Sequence, residues 1–390
     1  MRGWFSESQS MDCTAAQNDN EICLKEHQMI YRRHGSTGKD LSVIGFGGMR
    51  FKNIDDQDAC VEMMVKAAKL GVNYFDTAPL YFGIKSEVIF GKAFKEFKKR
   101  NLPFYSSTKT FESKEGKIRS EIEKQLERLN LDAIDFYHVW NVTDLDKWYE
   151  RKKNGVLETF IKLKEEGLIK HICVSSHLIG DHIRELLEEN IFEAVLFGYS
   201  AYNFTVRQKA FDAIRQYDIG CVVMNPLGGG IIPQHPEMFD FIKTKKEQSV
   251  VEAALHFIFA HEKITTALVG FSTIEEIHEA VRAVESYQKI TEEKLQTIKD
   301  SAGASFEGLC TGCQYCDNCP VDIPIPKYME AYNFKVLYKK NRQLLDRLKW
   351  HWDIPTDWAA RCTECGQCED ICPQHLPIIA RLEEIAKMKR

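Results

Sequence analysis

The chain has 390 residues, 44% of them hydrophobic and 28% charged, with a formal net charge of −5. That is the composition of a globular protein with room for one large domain and a small one. A mild acidic balance gives no argument for nucleic acid or a lipid surface as partner, and no apolar run approaches the roughly 18 residues of a membrane span.

Residues 1–28 form a polar extension without the apolar core or cleavage site of a signal peptide, and Met29 could serve as a second start. YRRHGSTGKDLSV follows, with a turn-like GSTGK between two short extended pieces, and reads as a hairpin capping what comes next. Short apolar runs then alternate with helix-like segments. The runs are SVIGFGG (42–48), NYFDTA (73–78), PFYSSTK (103–109), AIDFYHVW (133–140), IKHICVSS (169–176), AVLFGYSA (194–201), GCVVMNPL (220–227) and TALVGF (266–271). Near-continuous apolar strands with helical crossovers mean a parallel sheet covered on both faces. Eight such units predict an α/β fold, a closed (β/α)8 TIM barrel over residues 29–292. A doubly wound open sheet is the other arrangement, but no GxGxxG follows the first strand. A polar helix around 291–306 and a small-residue linker, SAGASFEG, lead into the C-terminal part, residues 293–390.

Eight of the 13 cysteines lie in that part. Cys362, Cys365, Cys368 and Cys372 stand as C-x2-C-x2-C-x3-C-P, the bacterial ferredoxin spacing. Cys310, Cys313, Cys316 and Cys319 depart from it by one residue. Tight spacing lets one loop supply three thiolates to soft tetrahedral iron, and the fourth cysteine reaches the other cluster. Two 4Fe-4S clusters follow, one on Cys310, Cys313, Cys316 and Cys372 and one on Cys362, Cys365, Cys368 and Cys319, in a small helical ferredoxin-like domain. A zinc-stapled lid, or a single cubane with the remaining cysteines idle, is the alternative, although zinc sites usually use paired CxxC knuckles. The other five cysteines (Cys13, Cys23, Cys60, Cys173, Cys221) show no disulfide framework. The pattern indicates a cytoplasmic protein of a low-oxygen cell. Between the clusters, the basic stretch holding Lys335, Lys339, Lys340 and Arg342 reads as a solvated helix face, or as a docking face for a redox partner such as ferredoxin or flavodoxin.

Three residues in the barrel carry chemistry. Asp76 ends the second strand, Tyr81 follows in the next loop and Lys109 ends the third strand, so all three belong to the C-terminal face where barrel enzymes build sites. A phenol is a poor proton donor near neutrality. A lysine held by Asp76 would lower its pKa and fit it to protonate a carbonyl oxygen during hydride transfer. Taken singly, each has a plainer role as cap, surface charge or packing. Leu227, Gly228, Gly229 and Gly230 make a backbone loop suited to a pyrophosphate, and Ser272 and Thr273 open the last barrel helix, whose N-terminus can take a phosphate.

These residues sit within RRHGSTGKDLSVIGFGGMR, FDTAPLYFG…SE…GKA, STK, GLIKHICVSSH, the YN pair at 202–203 and MNPLGGG. The set resembles the aldo/keto reductase family, and over residues 29–385 the chain resembles the branch with a C-terminal ferredoxin-like domain. The resemblance implies NAD(H) or NADP(H) and reduction of a small-molecule carbonyl. It also implies a histidine at the end of the fourth strand, where this chain has Trp140. His138, two residues earlier and on the same face, is either its replacement or a satisfied core histidine. Tyr199 stands at the family's carboxamide-binding glutamine and Met224 at its stacking aromatic. Ser175, Ser176 and Asn203 are the remaining amide contacts. Ser272 and Glu276 take the two places where a basic residue clasps the 2′-phosphate, which favours NADH.

The reading is an iron–sulfur oxidoreductase with two redox modules. Hydride is a two-electron carrier and a cubane moves one electron, so a flavin, a substrate accepting single electrons or purely structural clusters would each reconcile them. The alternative is an electron-transfer protein whose barrel no longer does hydride chemistry.

Overall fold

The computed structural model describes residues 29–305, 308–310, 315–372 and 375–389. The N-terminal extension, Cys313 and Pro373 lie outside them. A hairpin of β1 (Tyr31–Arg33) and β2 (Asp40–Ser42) precedes eight parallel strands that close into a barrel. These are β3 (Ile44–Gly47), β4 (Tyr74–Asp76), β5 (Tyr105–Thr110), β6 (Ile134–Val142), β7 (Ile169–Ser176), β8 (Ala194–Gly198), β9 (Gly220–Met224) and β10 (Thr266–Gly270). Each expected run contains one strand. The runs at 194–201 and 220–227 stop early, because their last residues turn out over the rim. β6 runs on to Val142, with an irregular register against β7 beyond Val139.

Alternation along each strand sorts side chains into two layers. Tyr74, Phe136, Cys173, Ala194, Leu196, Val222 and Leu268 fill the barrel interior. Their sequence neighbours Phe75, Tyr137, Val174, Val195 and Val223 pack outward against the helices. The hairpin closes the N-terminal end. Gly35, at φ +51°, lets the backbone lie against Asp218, where a Cβ would meet the Asp218 carbonyl oxygen at 2.3 Å. His34 is thereby buried edge-on to Phe136, with ring centroids 5.1 Å apart.

Local chemistry starts the helices where the runs end. Asp56, Ser249 and Thr273 accept hydrogen bonds from backbone amides as N-caps of α1 (Gln57–Lys69), α9 (Val250–Phe259) and α10 (Ile274–Glu285). Between them in chain order come α2 (Lys85–Lys99), α3 (Glu115–Leu129), α4 (Leu145–Lys153), α5 (Val156–Glu165), α6 (Gly180–Glu188), α7 (Ala210–Gln216) and α8 (Ile231–Gln234). α11 (Glu292–Ser305) runs through most of the expected small-residue linker. Its Leu295 and Ile298 join the barrel core, so this helix belongs with the barrel and not with the cysteine-bearing part beyond 292.

The C-terminal part has its own core of Ile323, Tyr328, Met329, Leu344, Leu348, Trp352, Ile378 and Leu382. It is built on α12 (Ile325–Tyr338), α13 (Asn341–Arg347), α14 (Gln367–Asp370) and α15 (Ile378–Ala386). α12 also lies on the barrel. Leu337 belongs to the barrel core, and Phe334 and Tyr338 pack against it. The Tyr338 ring is 5.9 Å from that of His235, on the loop after β9. The ferredoxin-like body therefore covers the C-terminal face of the barrel, the end that holds Asp76 and Lys109. The basic stretch is not one helix face. Lys335 is ion-paired with Glu384, and Lys339 takes a left-handed conformation between α12 and α13. Lys339, Lys340 and Arg342 remain exposed.

Candidate active site

Asp76, Lys109 and His138 point into the barrel from three neighbouring strands. Register places Asp76 beside Ser107 and Lys109 beside His138. The Lys109 ammonium is 2.7 Å from both Asp76 carboxylate oxygens, and both side chains are 1% exposed. Ser107 donates to Asp76 Oδ1 at 2.7 Å, accepts from Tyr74 at 3.0 Å and lies 3.1 Å from His138 Nε2. Burial and the neighbouring Lys109 charge hold His138 well below the usual imidazole range, so its ring is neutral. His138 is thus coupled to the ion pair through Ser107, beneath the rim. The strand-end position belongs to Trp140, which stacks on Phe111 at 3.9 Å.

Tyr81 sits above this pair. Its ring is 5.7 Å from the Lys109 ammonium and edge-on to Trp140 at 5.8 Å. The loop that carries it is pinned at both ends. Ser86 donates to Gly48 O at 2.9 Å and is 2.8 Å from Thr77 Oγ1. Glu87 is buried against Arg128, Thr108 and Gln125. The Ser-Glu pair of the motif is therefore loop anchorage. The expected lowering of the Tyr81 pKa by Lys109 does not occur. The lysine's charge is matched by Asp76, and burial together with that carboxylate pushes the phenol up. Tyr81 is held protonated, the form that can donate. Burial lowers Lys109, while Asp76 opposes the shift.

The expected nicotinamide contacts divide. Ser175 is buried two residues beyond inward-facing Cys173, and Met224 two beyond Val222, so both aim at the mouth. Ser176 does not. It faces the helices, with its hydroxyl donating to Val142 O at 3.1 Å and accepting from Leu178 N at 3.0 Å. Tyr199 also points outward, stacked on Phe257 and edge-on to Phe211. Asn203 accepts from Ser200 at 3.0 Å, and its Nδ2 lies near the inward face of Gly198. In the glycine loop after Leu227, the Gly228 and Gly230 amides donate to Asn225 O and Leu227 O within the loop, and all three glycines have positive φ. At the last barrel helix, Thr273 is the N-cap. Glu276 folds back to accept from the Ser272 amide at 2.7 Å, and the Ser272 hydroxyl donates to Arg50 O. These contacts put the Glu276 carboxylate at the N-terminus of that helix.

The cysteines also fall into two groups. Cys316, Cys319, Cys362, Cys365 and Cys368 line one cavity of about 120 Å3, so Cys316, expected on the other cluster, lies with this set. Cys310 and Cys372 both lie within electrostatic reach of the Arg381 guanidinium. Asn333 is fully buried and clamps Cys310 by both its amide and its carbonyl, each at 2.8 Å. Soft thiolates grouped around a cavity suit a cubane, whose ligands stand at its corners. Two features had no local signal: Ser107 as the link between Asp76 and His138, and α12 over the mouth.

Residues 43–302 match the description "Aldo/keto reductase family", and residues 309–376 match "4Fe-4S dicluster domain". The chain is similar to L-galactose dehydrogenase of Arabidopsis thaliana, with 26% identity over 289 residues, 66% of this chain and 89% of that one. It is similar to the NADH-specific methylglyoxal reductase of Escherichia coli, with 26% identity over 227 residues, 51% of this chain and 67% of that one. Among solved structures, an aldo-keto reductase of Bacillus halodurans in its holo form superposes with a TM-score of 0.61 and 25% identity, covering 70% of this chain and 96% of that one.

Proposed function

The chain belongs to the aldo/keto reductase family, and from that premise we propose that this iron–sulfur oxidoreductase reduces an organic carbonyl with a nicotinamide, Tyr81 giving the proton. The observation that carries the reading is the buried Asp76–Lys109 pair with a protonated Tyr81 above it at the C-terminal ends of β4 and β5. Ser175, Asn203 and Met224 would hold the nicotinamide, and Leu227, Gly228, Gly229 and Gly230 its pyrophosphate. The bound nicotinamide supplies hydride. Lys109 would place its ammonium group beside the carbonyl oxygen, Asp76 fixes the lysine, and His138 orients Asp76 through Ser107. Trp140 and Phe111 exclude water from the Tyr81 side. A second reading, an electron-transfer protein without hydride chemistry, draws on Trp140 at the histidine position and on α12 over the mouth. Anaerobic titration with NADH and NADPH, following carbonyl consumption, together with reduction of the clusters by the one-electron donor dithionite, separates them. Carbonyl consumption supports the first, and clusters that dithionite bleaches in a protein that consumes no carbonyl with either nicotinamide support the second.

The spacing of the eight cysteines and the match to a dicluster domain support two cubanes carrying single electrons. After anaerobic reconstitution we expect about eight irons and eight sulfides per chain. About four irons would reduce the assignment to one cubane, and stoichiometric zinc in iron-replete protein would replace it.

The Glu276 carboxylate at the start of α10 supports NADH as the better ligand, because a 2′-phosphate there would meet a carboxylate. Such a surface charge contact is worth on the order of 1 kcal/mol, under tenfold in affinity. Fluorescence titration should give NADH a dissociation constant no larger than that of NADPH, and Glu276→Arg should shift the ratio towards NADPH. NADPH binding more than tenfold tighter in the unaltered protein would overturn this.

A further inference from the structure

Arg207 closes the 3-10 turn Phe204–Arg207 after β8, and none of the chemistry above uses it. Its side chain is 3% exposed. Ala194 and Leu196 point into the barrel, so Gly198 at the end of the same strand presents its empty face inward. A Cβ built there would lie 3.8 Å from Arg207 Nη1, which puts the guanidinium at the inner rim of the barrel mouth. In the closed ring, β8 stands four strands from β4, diametrically opposite Asp76.

This buried cation is poorly matched. Among the described residues its one hydrogen bond is a long one, Nη2 to His177 O at 3.4 Å, and Nε has no partner. Glu330 on α12 lies within electrostatic reach, but its carboxylate is taken by Arg347, which reaches it through both Nε and Nη2. His177 and His351 face each other beside the two arginines with ring centroids 5.1 Å apart. Burial and those cations keep both imidazoles neutral, and burial, with Arg347 adding to it and Glu330 opposing it, brings Arg207 down to about 10. Two guanidinium groups thus share one carboxylate. An uncompensated buried charge is strongly unfavourable, so the site favours an anion that brings the missing charge.

We propose that Arg207 binds an anionic group of the substrate, so that the protein acts on carbonyl compounds bearing a carboxylate, that is, oxo acids. The inference rests on the carbonyl-reductase reading for its second half only. The anion lies against Arg207 on the β8 side, and the carbonyl reaches across the mouth towards Tyr81 and Lys109. The wall behind the anion comes from the ferredoxin-like body through Glu330 and Arg347, so substrate choice depends on both parts of the chain.

The test uses the full-length, cluster-reconstituted protein and two probes with the same carbonyl and a chain long enough to span the mouth, 5-oxopentanoate and its methyl ester. Calorimetry is expected to show the acid binding at least tenfold more tightly than its ester, the order of one charge-assisted contact. Arg207→Gln should bring the ratio close to one, and Arg207→Lys should keep part of it, at unchanged iron content. Equal binding of the two probes by the unaltered protein overturns the proposal without any variant. So does an Arg207→Gln protein that weakens both probes equally or loses iron, since the arginine would then serve the fold or the cluster. Turnover separates this from the reading beneath it. Arg207-dependent binding of the acid with no reduction by either nicotinamide leaves the anion site standing and removes carbonyl reduction. Reduction of the ester as efficient as that of the acid does the reverse.

Discussion

Tyr81→Phe is expected to lower kcat for carbonyl reduction by on the order of a hundredfold or more, the contribution of a positioned general acid. The change removes one hydroxyl and leaves the ring that packs against Trp140 and faces Lys109. Iron content and the dissociation constants of NADH and NADPH should therefore stay as they were. Burial and the Asp76 carboxylate raise the phenol pKa, so Tyr81 remains protonated through neutral and mildly alkaline pH. Within that range the reductive rate should show no fall traceable to Tyr81 ionising. Steady-state rates of the variant and a pH profile of the unaltered protein check both parts. Unchanged turnover would leave Tyr81 as packing between Trp140 and the ion pair.

Much of this site can be read from strand parity. Asp76 and Lys109 lie two residues beyond inward-facing Tyr74 and Ser107, and an inward lysine needs an inward carboxylate on the next strand. The same parity says that Ser175 and Ser176 cannot both face the mouth, and the structure places Ser176 among the helices. The placement of His138 follows from parity too, but its coupling to Asp76 does not. That runs through Ser107, an unremarkable member of the SSTK run, and depends on the register of β4, β5 and β6. The barrel was legible because each unit repeats a local pattern. The covering of its mouth was not, because Arg207, Glu330 and Arg347 are brought together by packing between distant segments, and a sequence carries no periodic trace of such contacts. SAGAS resembles a linker by composition but forms the end of α11, where Leu295 and Ile298 supply the burial that small residues do not. Among the cysteines, spacing alone pointed to cubanes, because one loop must supply three ligands. The clamp of Asn333 on Cys310 needed coordinates.

Asp76→Asn should destabilise the fold by about 3–5 kcal/mol, the range for breaking a buried ion pair from one side. Both partners are 1% exposed, and the two 2.7 Å contacts of Lys109 are with this carboxylate. The asparagine is close in shape and can still accept from Ser107, so the loss is one of charge and not of packing. The deficit should depend on pH in a definite sense. Burial already lowers the folded-state pKa of Lys109, and Asp76 is the first influence that raises it. Removing Asp76 lowers it further below the unfolded value. Between those two values the unfolded chain binds more protons than the folded one, so the variant gains stability as pH rises. The penalty is therefore full at low pH, where the stranded lysine must stay charged, and shrinks once the folded lysine can lose its proton. Denaturant unfolding of both proteins across a pH series measures this. A deficit that is flat or grows with pH would mean that Lys109 has another counter-charge. The pairing has a second check. Adding Lys109→Met to Asp76→Leu should leave the double variant more stable than Asp76→Leu alone, because it removes the uncompensated charge together with its partner, although the double variant also loses the lysine that the proposed carbonyl chemistry requires.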